Sequence, residues 1–159
     1  MKKLILLLSA ACIALCLSSC GEPPSVATVF DADFTVSRSG EDYSGRLSLT
    51  GESLTVAMTA PFTVEGMSFD YTDEGLTISR GGLSASANSD YIPAAAIPSV
   101  LHDTLTYIGQ AAYIGSDGGE DSFTLPTPYG EATLTARDGD PVRLADDYSG
   151  LTFEFSAVR

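Results

Sequence analysis

The chain has 159 residues, 44% of them hydrophobic, with 21 acidic against 8 basic side chains and a net charge of −13. Lys2 and Lys3 are its only lysines, and the other cations, Arg38, Arg46, Arg80, Arg137, Arg143 and Arg159, are scattered. Releasing counterions from phosphates needs clustered cations, so no nucleic acid is expected as a partner, and charge alone is not expected to dock the chain on anionic lipid.

The first residues read as an export signal. Lys2 and Lys3 form a positive start, Leu4 to Leu17 is an almost unbroken apolar run, and Leu17-Ser18-Ser19-Cys20 follows. The run is shorter than the roughly 20 residues a spanning helix needs and fits a signal h-region. The small residues Ser18 and Ser19 admit a peptidase, Leu17 stands where lipoprotein signals carry an aliphatic residue, and the Cys20 thiol is the nucleophile to be linked to diacylglycerol. The pattern is a lipobox, and it predicts a lipoprotein signal over residues 1–19 with Cys20 as the lipid-carrying first residue of the mature chain. Cys12 and Cys16 would leave with the signal, so no disulfide remains, although the destination is oxidising. Loss of Lys2 and Lys3 takes the −13 of the full chain two charges further, to −15. Residues 20–25, ending in Pro23-Pro24-Ser25, predict a short tether that keeps the domain near the membrane. Gly21 carries no aspartate-type signal for inner-membrane retention, so the expected location is the outer face of the cell membrane, or the outer membrane where one exists.

From Val26 the apolar period is two. Phe30, Ala32, Phe34 and Val36 alternate with Asp31, Asp33, Thr35 and Ser37. Past Ser39-Gly40-Glu41-Asp42 the pattern resumes at Tyr43, Gly45, Leu47 and Leu49, and past Gly51-Glu52-Ser53 at Leu54, Val56, Met58 and Ala60. This predicts a meander of half-buried strands, ended by Pro61 because proline donates nothing to a ladder. Met67, Phe69 and Tyr71, then Leu76 and Ile78, then Leu83, Ala85 and Ala87 continue the period, with a turn at Asp73-Glu74-Gly75 and a bulge or bend at Gly81-Gly82. Between Pro93 and Ile108 the spacing changes: Ile97, Val100, Leu101, Thr104, Leu105 and Ile108 form one helical stripe, with Pro98 in a first-turn position and Gly109 as the stop. Strands return at 111–114, 122–125, 132–136, 142–144 and 151–157, separated by Asp117-Gly118-Gly119, Asp138-Gly139-Asp140 and Ser149-Gly150.

The predicted fold is mainly β (α+β): one domain over 26–159, a strongly curved antiparallel sheet or incomplete β-barrel of about nine to eleven strands. A sheet of that size curls or closes, and the lone amphipathic helix would pack on its concave face.

This order resembles the LolA/LolB/LppX-like group of lipoprotein carriers and lipid-binding lipoproteins. The residues that carry the resemblance are Phe30-Asp31-Ala32-Asp33-Phe34-Thr35-Val36, Tyr43-Ser44-Gly45-Arg46-Leu47, and Met58 to Leu76 with Pro61, Gly66, Phe69, Tyr71 and Gly75. Gly130-Glu131-Ala132-Thr133-Leu134, Asp140-Pro141-Val142 and Leu151 to Phe155 complete it. The resemblance implies an incurved half-barrel covered by helices, with an apolar cavity that holds acyl chains. It makes Phe34, Val36, Leu47, Leu49, Val56, Met58, Phe69 and Tyr71 candidate walls, with Leu101 and Leu105 from the lid. The bland alternative is that these side chains pack together as a dry core. The chain departs from the group in showing one clear helix, and neither Arg46 nor Arg80 aligns with the arginine that helps latch the carriers' lid.

Chemistry-bearing patterns are few. His102 is the sole histidine, which excludes histidine-rich zinc sites, and any Ser-His-Asp arrangement would have to use it. Beside Asp103 and without a Gly-x-Ser-x-Gly elbow, it reads as a surface helix residue. Gly81-Gly82 and Gly118-Gly119 lack P-loop spacing and lysine. Asp117 to Asp121 lacks EF-hand spacing and reads as an acidic hairpin. No metal, cofactor or catalytic group is therefore expected. The expected function is a non-enzymatic lipoprotein that binds a lipid or other apolar small molecule and is held to the membrane by Cys20. The alternatives are a solid-cored interaction module for an unknown protein partner and, more weakly, a cell-wall glycan hydrolase built on a buried carboxylate pair.

Overall fold

A computed structural model describes residues 23–88 and 91–159; the export signal, Cys20 and the start of the tether lie outside the described residues. The described residues form eleven strands: β1 (Phe30–Arg38), β2 (Glu41–Thr50), β3 (Ser53–Ala60), β4 (Met67–Thr72), β5 (Gly75–Arg80), β6 (Leu83–Ala87), β7 (Ala112–Asp117), β8 (Glu120–Thr127), β9 (Gly130–Arg137), β10 (Asp140–Asp146) and β11 (Thr152–Ser156). All belong to one antiparallel sheet ordered β6-β5-β4-β3-β2-β1-β11-β10-β9-β8-β7. The first and last strands are therefore neighbours at the middle of the sheet, with Phe34 opposite Phe155 and Val36 opposite Phe153. Among the described residues, β6 and β7 are the two edges without a further strand beside them. The connection between those two edge strands carries the helix, α1 (Ile97–Leu105), and a short 3-10 turn (Ile108–Gln110).

Period-two patterning sets the sides of the sheet. In β1, Phe30, Ala32, Phe34 and Val36 are buried while Asp31, Thr35, Ser37 and Arg38 are exposed. A one-residue slip would exchange the two sets, so the register is strongly specified. Phe34 packs edge-on to Phe153 with ring centroids 6.1 Å apart, and Phe30 to Phe155 at 6.3 Å. Val100, Leu101, Leu105 and Ile108 join the sheet's apolar face in one buried cluster.

Curvature has local causes. Registers shift at Ser44/Gly45, at Tyr113/Gly115 and at Pro141/Arg143, and such bulges bend the strand that carries them. At Gly45 the backbone lies so close to its surroundings that a Cβ would stand 2.6 Å from the Ala57 carbonyl oxygen and 2.6 Å from the Phe34 ring. The aromatic ring covers the glycine directly opposite it in the ladder.

Two expectations are corrected. Gly81-Gly82 is not a bulge but a two-residue hairpin turn between β5 and β6, with φ of 59° and 83°, the left-handed pair that matches strand twist and that glycine adopts without steric cost. The helix is also shorter than the stripe from Pro93 to Ile108: Pro98 does occupy its first turn, but it ends at Leu105, and Gly109 lies inside the 3-10 turn rather than at the stop. The Thr104 hydroxyl donates to the Val100 carbonyl at 2.7 Å, and that of Thr106 to the His102 carbonyl. Such back-bonding competes with the amide ladder, and the next bond, Tyr107 N–H to Thr104 O, spans three residues.

Candidate functional site

The ten expected wall residues are all buried, and all belong to the single core cluster. Among the described residues, Met58 and Phe69 border one opening, Tyr71 a second, and Leu47 and Val36 the outer grooves. Leu47 and Val36 contribute to two shallow grooves of about 410 and 690 Å³. These grooves run among outward-facing polar side chains such as Asp31, Asp33, Arg46, Thr35 and Glu154. Phe34, Leu49, Val56, Leu101 and Leu105 are enclosed by packing and border neither these grooves nor the two openings that flank the helix.

The first opening is apolar, about 150 Å³, and lies between the helix start and strands β2 to β4; Met58, Val64, Phe69, Ile97 and Pro98 line it, with Arg38 and Tyr43 at its border. Its place follows from the sequence. Met58 and Phe69 are inward residues of β3 and β4, and Ile97 is the first residue of the helix. The Tyr43 phenol donates to Glu41 at 2.8 Å, and that bond, with lesser help from desolvation and the Glu41 charge, holds its pKa above the usual tyrosine value.

The second opening is polar, about 350 Å³, and is lined by Tyr71, Ile92, Ala94, Ser99, His102, Asp103 and Tyr129. Ser99, His102 and Asp103 share one helix face because residues three and four apart are neighbours on a helix. The His102 ring stacks on that of Tyr71 at 4.3 Å between centroids, and its Nδ1 lies 2.9 Å from Asp103 Oδ1. His102 is thus half-buried rather than a surface residue. Tyr71 is only 3% exposed, and its hydroxyl has no hydrogen-bond partner among the described residues. Burial pushes the phenol above its usual pKa, a weak hydrogen-bonding interaction with the Ser99 side chain, outside good bond geometry, draws it partly back, and the charge of Asp103 pushes it up again. At the rim Tyr129 stacks on Tyr148, centroids 4.8 Å apart.

Sequence reasoning missed this cleft as a site. It read Tyr71 as an apolar wall and His102 as solvated, and Ser99 and Tyr129 carried no signal. Elsewhere, Arg46 pairs with Asp33 at 3.1 Å on the outer face, and Arg80 donates to the carbonyls of Phe62 and Thr63. Asp146 is the one buried carboxylate among the described residues, and it accepts the Ser149 N–H at 2.8 Å as part of a turn.

No family model matches the sequence, and no curated protein matches it. Solved structures with a similar fold include a LolA superfamily protein from Nitrosomonas europaea, 12% identical, covering 86% of this chain and 86% of that one at a TM-score of 0.47. An uncharacterized conserved protein from Thermus thermophilus is 11% identical over 82% of this chain and 77% of its own, with a TM-score of 0.48. A DUF1329 family protein from Desulfovibrio piger is 12% identical over 82% and 84%, with a TM-score of 0.43. At that identity and degree of superposition the likeness carries nothing about ligands.

Proposed function

We propose that this chain is a lipoprotein tethered through Cys20, non-enzymatic, whose half-barrel takes up part of an apolar ligand beside its helix. The observation that supports the reading is the apolar opening between Met58, Phe69 and Ile97, on the concave face of a sheet against which, among the described residues, a single nine-residue helix packs. A dry apolar cavity of about 150 Å³ is enough to hold a benzene-sized molecule, so the opening suits the end of an acyl chain rather than a whole lipid. Each methylene placed there is worth roughly 0.8 kcal/mol, and deeper entry requires the helix to swing away from the sheet. The test is native mass spectrometry of the delipidated full chain in detergent, offered a phosphatidylethanolamine and, separately, a free fatty acid. Retained lipid that Phe69→Trp, filling the opening, reduces at least tenfold supports the reading; no retention of either refutes it.

One feature favours the alternative of a protein-interaction module. Phe62 is 84% and Leu83 80% exposed, on either side of Arg80, which bonds the Phe62 carbonyl and pairs with Leu83 across the β5–β6 ladder. Among the described residues no further strand pairs with β6, LSASA in sequence, without charge, proline or bulge, the kind of edge that native sheets usually protect.

A further inference from the structure

We propose that the polar cleft formed by Tyr71, Ser99, His102, Asp103 and Tyr129 binds a neutral, hydroxyl-rich ligand of the size of one sugar ring. Its lining shares no residue with the apolar opening, so the proposal stands whether or not the chain also binds lipid. The Tyr71 hydroxyl is buried, with the Ser99 side chain close by but no bond of good geometry among the described residues, which is a costly arrangement that native proteins rarely keep without a use. Tyr71 lines the cleft, which at about 350 Å³ is within the range of small-molecule sites, and a ligand that reached the enclosed phenol by a small shift of its surroundings would give its proton an acceptor.

The other groups narrow the chemistry. Asp103 is a carboxylate and accepts only, and Ser99 both donates and accepts. A neutral imidazole that donates Nδ1–H to Asp103 presents its Nε2 as a further acceptor. Among the described residues, no lysine or arginine lines the cleft. An anion would satisfy Tyr71 but would meet the charge of Asp103 with no lysine or arginine among the described residues to offset it. An ammonium would suit Asp103 but offers nothing to accept the phenol proton. A hydroxyl does both, donating to Asp103 or His102 and accepting from Tyr71 or Ser99. Tyr129, 52% exposed and backed by Tyr148, presents an aromatic surface at the rim, and the C–H face of a pyranose packs favourably on such a ring.

The test is a proton NMR titration of the full chain in detergent. The single histidine makes the His102 ring signals unambiguous. The probes are methyl glucoside, methyl mannoside, N-acetylglucosamine, choline and inorganic phosphate. The expected result is a saturable shift of the His102 and Tyr71 ring signals with at least one of the three sugars and none with choline or phosphate. Tyr71→Phe should keep the chain folded and weaken that binding about tenfold, the equivalent of one lost hydrogen bond. Asp103→Asn should weaken it comparably and decides the matter if Tyr71→Phe does not fold. No sugar response, a saturable shift with choline or phosphate instead, or undiminished sugar binding in the variants would overturn the proposal.

Discussion

Removing a hydroxyl from the interior of this protein should make it more stable. Tyr71 sits in β4 opposite Leu54 and Leu76, its ring against His102, its oxygen without a hydrogen-bond partner among the described residues. Leaving such a group buried and unpaired costs about 1–3 kcal/mol. The Ser99 side chain lies near enough to favour the ionised phenol, so it offsets part of that cost, and the lower end of the range applies. Tyr71→Phe, which preserves the ring and its packing, is therefore expected to raise stability by roughly 1 kcal/mol, or about 3–5 °C in Tm for a domain of this size. Tyr43→Phe is the control. That hydroxyl is at the surface and bonded to Glu41, so its loss should change stability by less than about 0.5 kcal/mol. Urea unfolding near pH 7 measures both. The alkaline limb gives an independent check. The folded Tyr71 pKa lies above its unfolded value of 10.0, so below pH 10 its contribution is fully present. As pH rises past 10 the unfolded chain ionises first, and stability is lost through the folded pKa. Tyr43 is shifted in the same direction, so the comparison belongs in a Tyr43→Phe background, where adding Tyr71→Phe should flatten the decline further. A destabilised Tyr71→Phe at pH 7 would show that the hydroxyl has a bond, and would refute the reasoning.

Gly45→Ala should destabilise by about 2 kcal/mol or more in the same unfolding assay, because its Cβ would meet the Ala57 carbonyl at 2.6 Å and backbone cannot step aside as a side chain does. Leu101→Ala should cost about 2–5 kcal/mol, since Leu101 is fully enclosed between helix and sheet; a loss below about 1 kcal/mol would mean the helix is not firmly docked. Cys20→Ser should abolish incorporation of labelled palmitate, and a variant that still took up the label would count against the lipobox.

The strands were legible because alternation and turn chemistry agreed. Phe30 to Val36 alternates without a break, and Ser39-Gly40 and Asp138-Gly139 mark two-residue turns at which both residues take positive φ. Gly81-Gly82 was misread because two glycines permit a bulge and a hairpin alike, and only pairing with β6 decides between them. The helix end was misread because a hydrophobic stripe records burial rather than hydrogen bonding: Ile108 is buried, yet it belongs to the 3-10 turn. The interior was legible as a set of buried side chains, but whether facing side chains leave a gap depends on packing between strands distant in sequence. The polar cleft was invisible for the same reason. Its residues come from β4, from the segment before the helix, from the helix, and from the β8–β9 turn, and none of those segments carries a motif.

Topology explains why both openings lie beside the helix. Nearly every strand pairs with its sequence neighbour, and the exception is the step from β6 to β7, which are the two opposite edges. The connecting segment therefore has to pass from one side of the sheet to the other, and its apolar stripe is buried only if it crosses the concave face. A helix of nine residues, about 14 Å at 1.5 Å per residue, cannot cover the inner face of an eleven-stranded sheet. The uncovered margins take the character of whatever borders them. Where the helix start faces Met58 and Phe69 the margin is apolar; where Ser99, His102 and Asp103 face Tyr71 it is polar. Lengthening α1 by replacing Thr104 and Thr106 with alanine would remove the back-bonding hydroxyls without altering either lining.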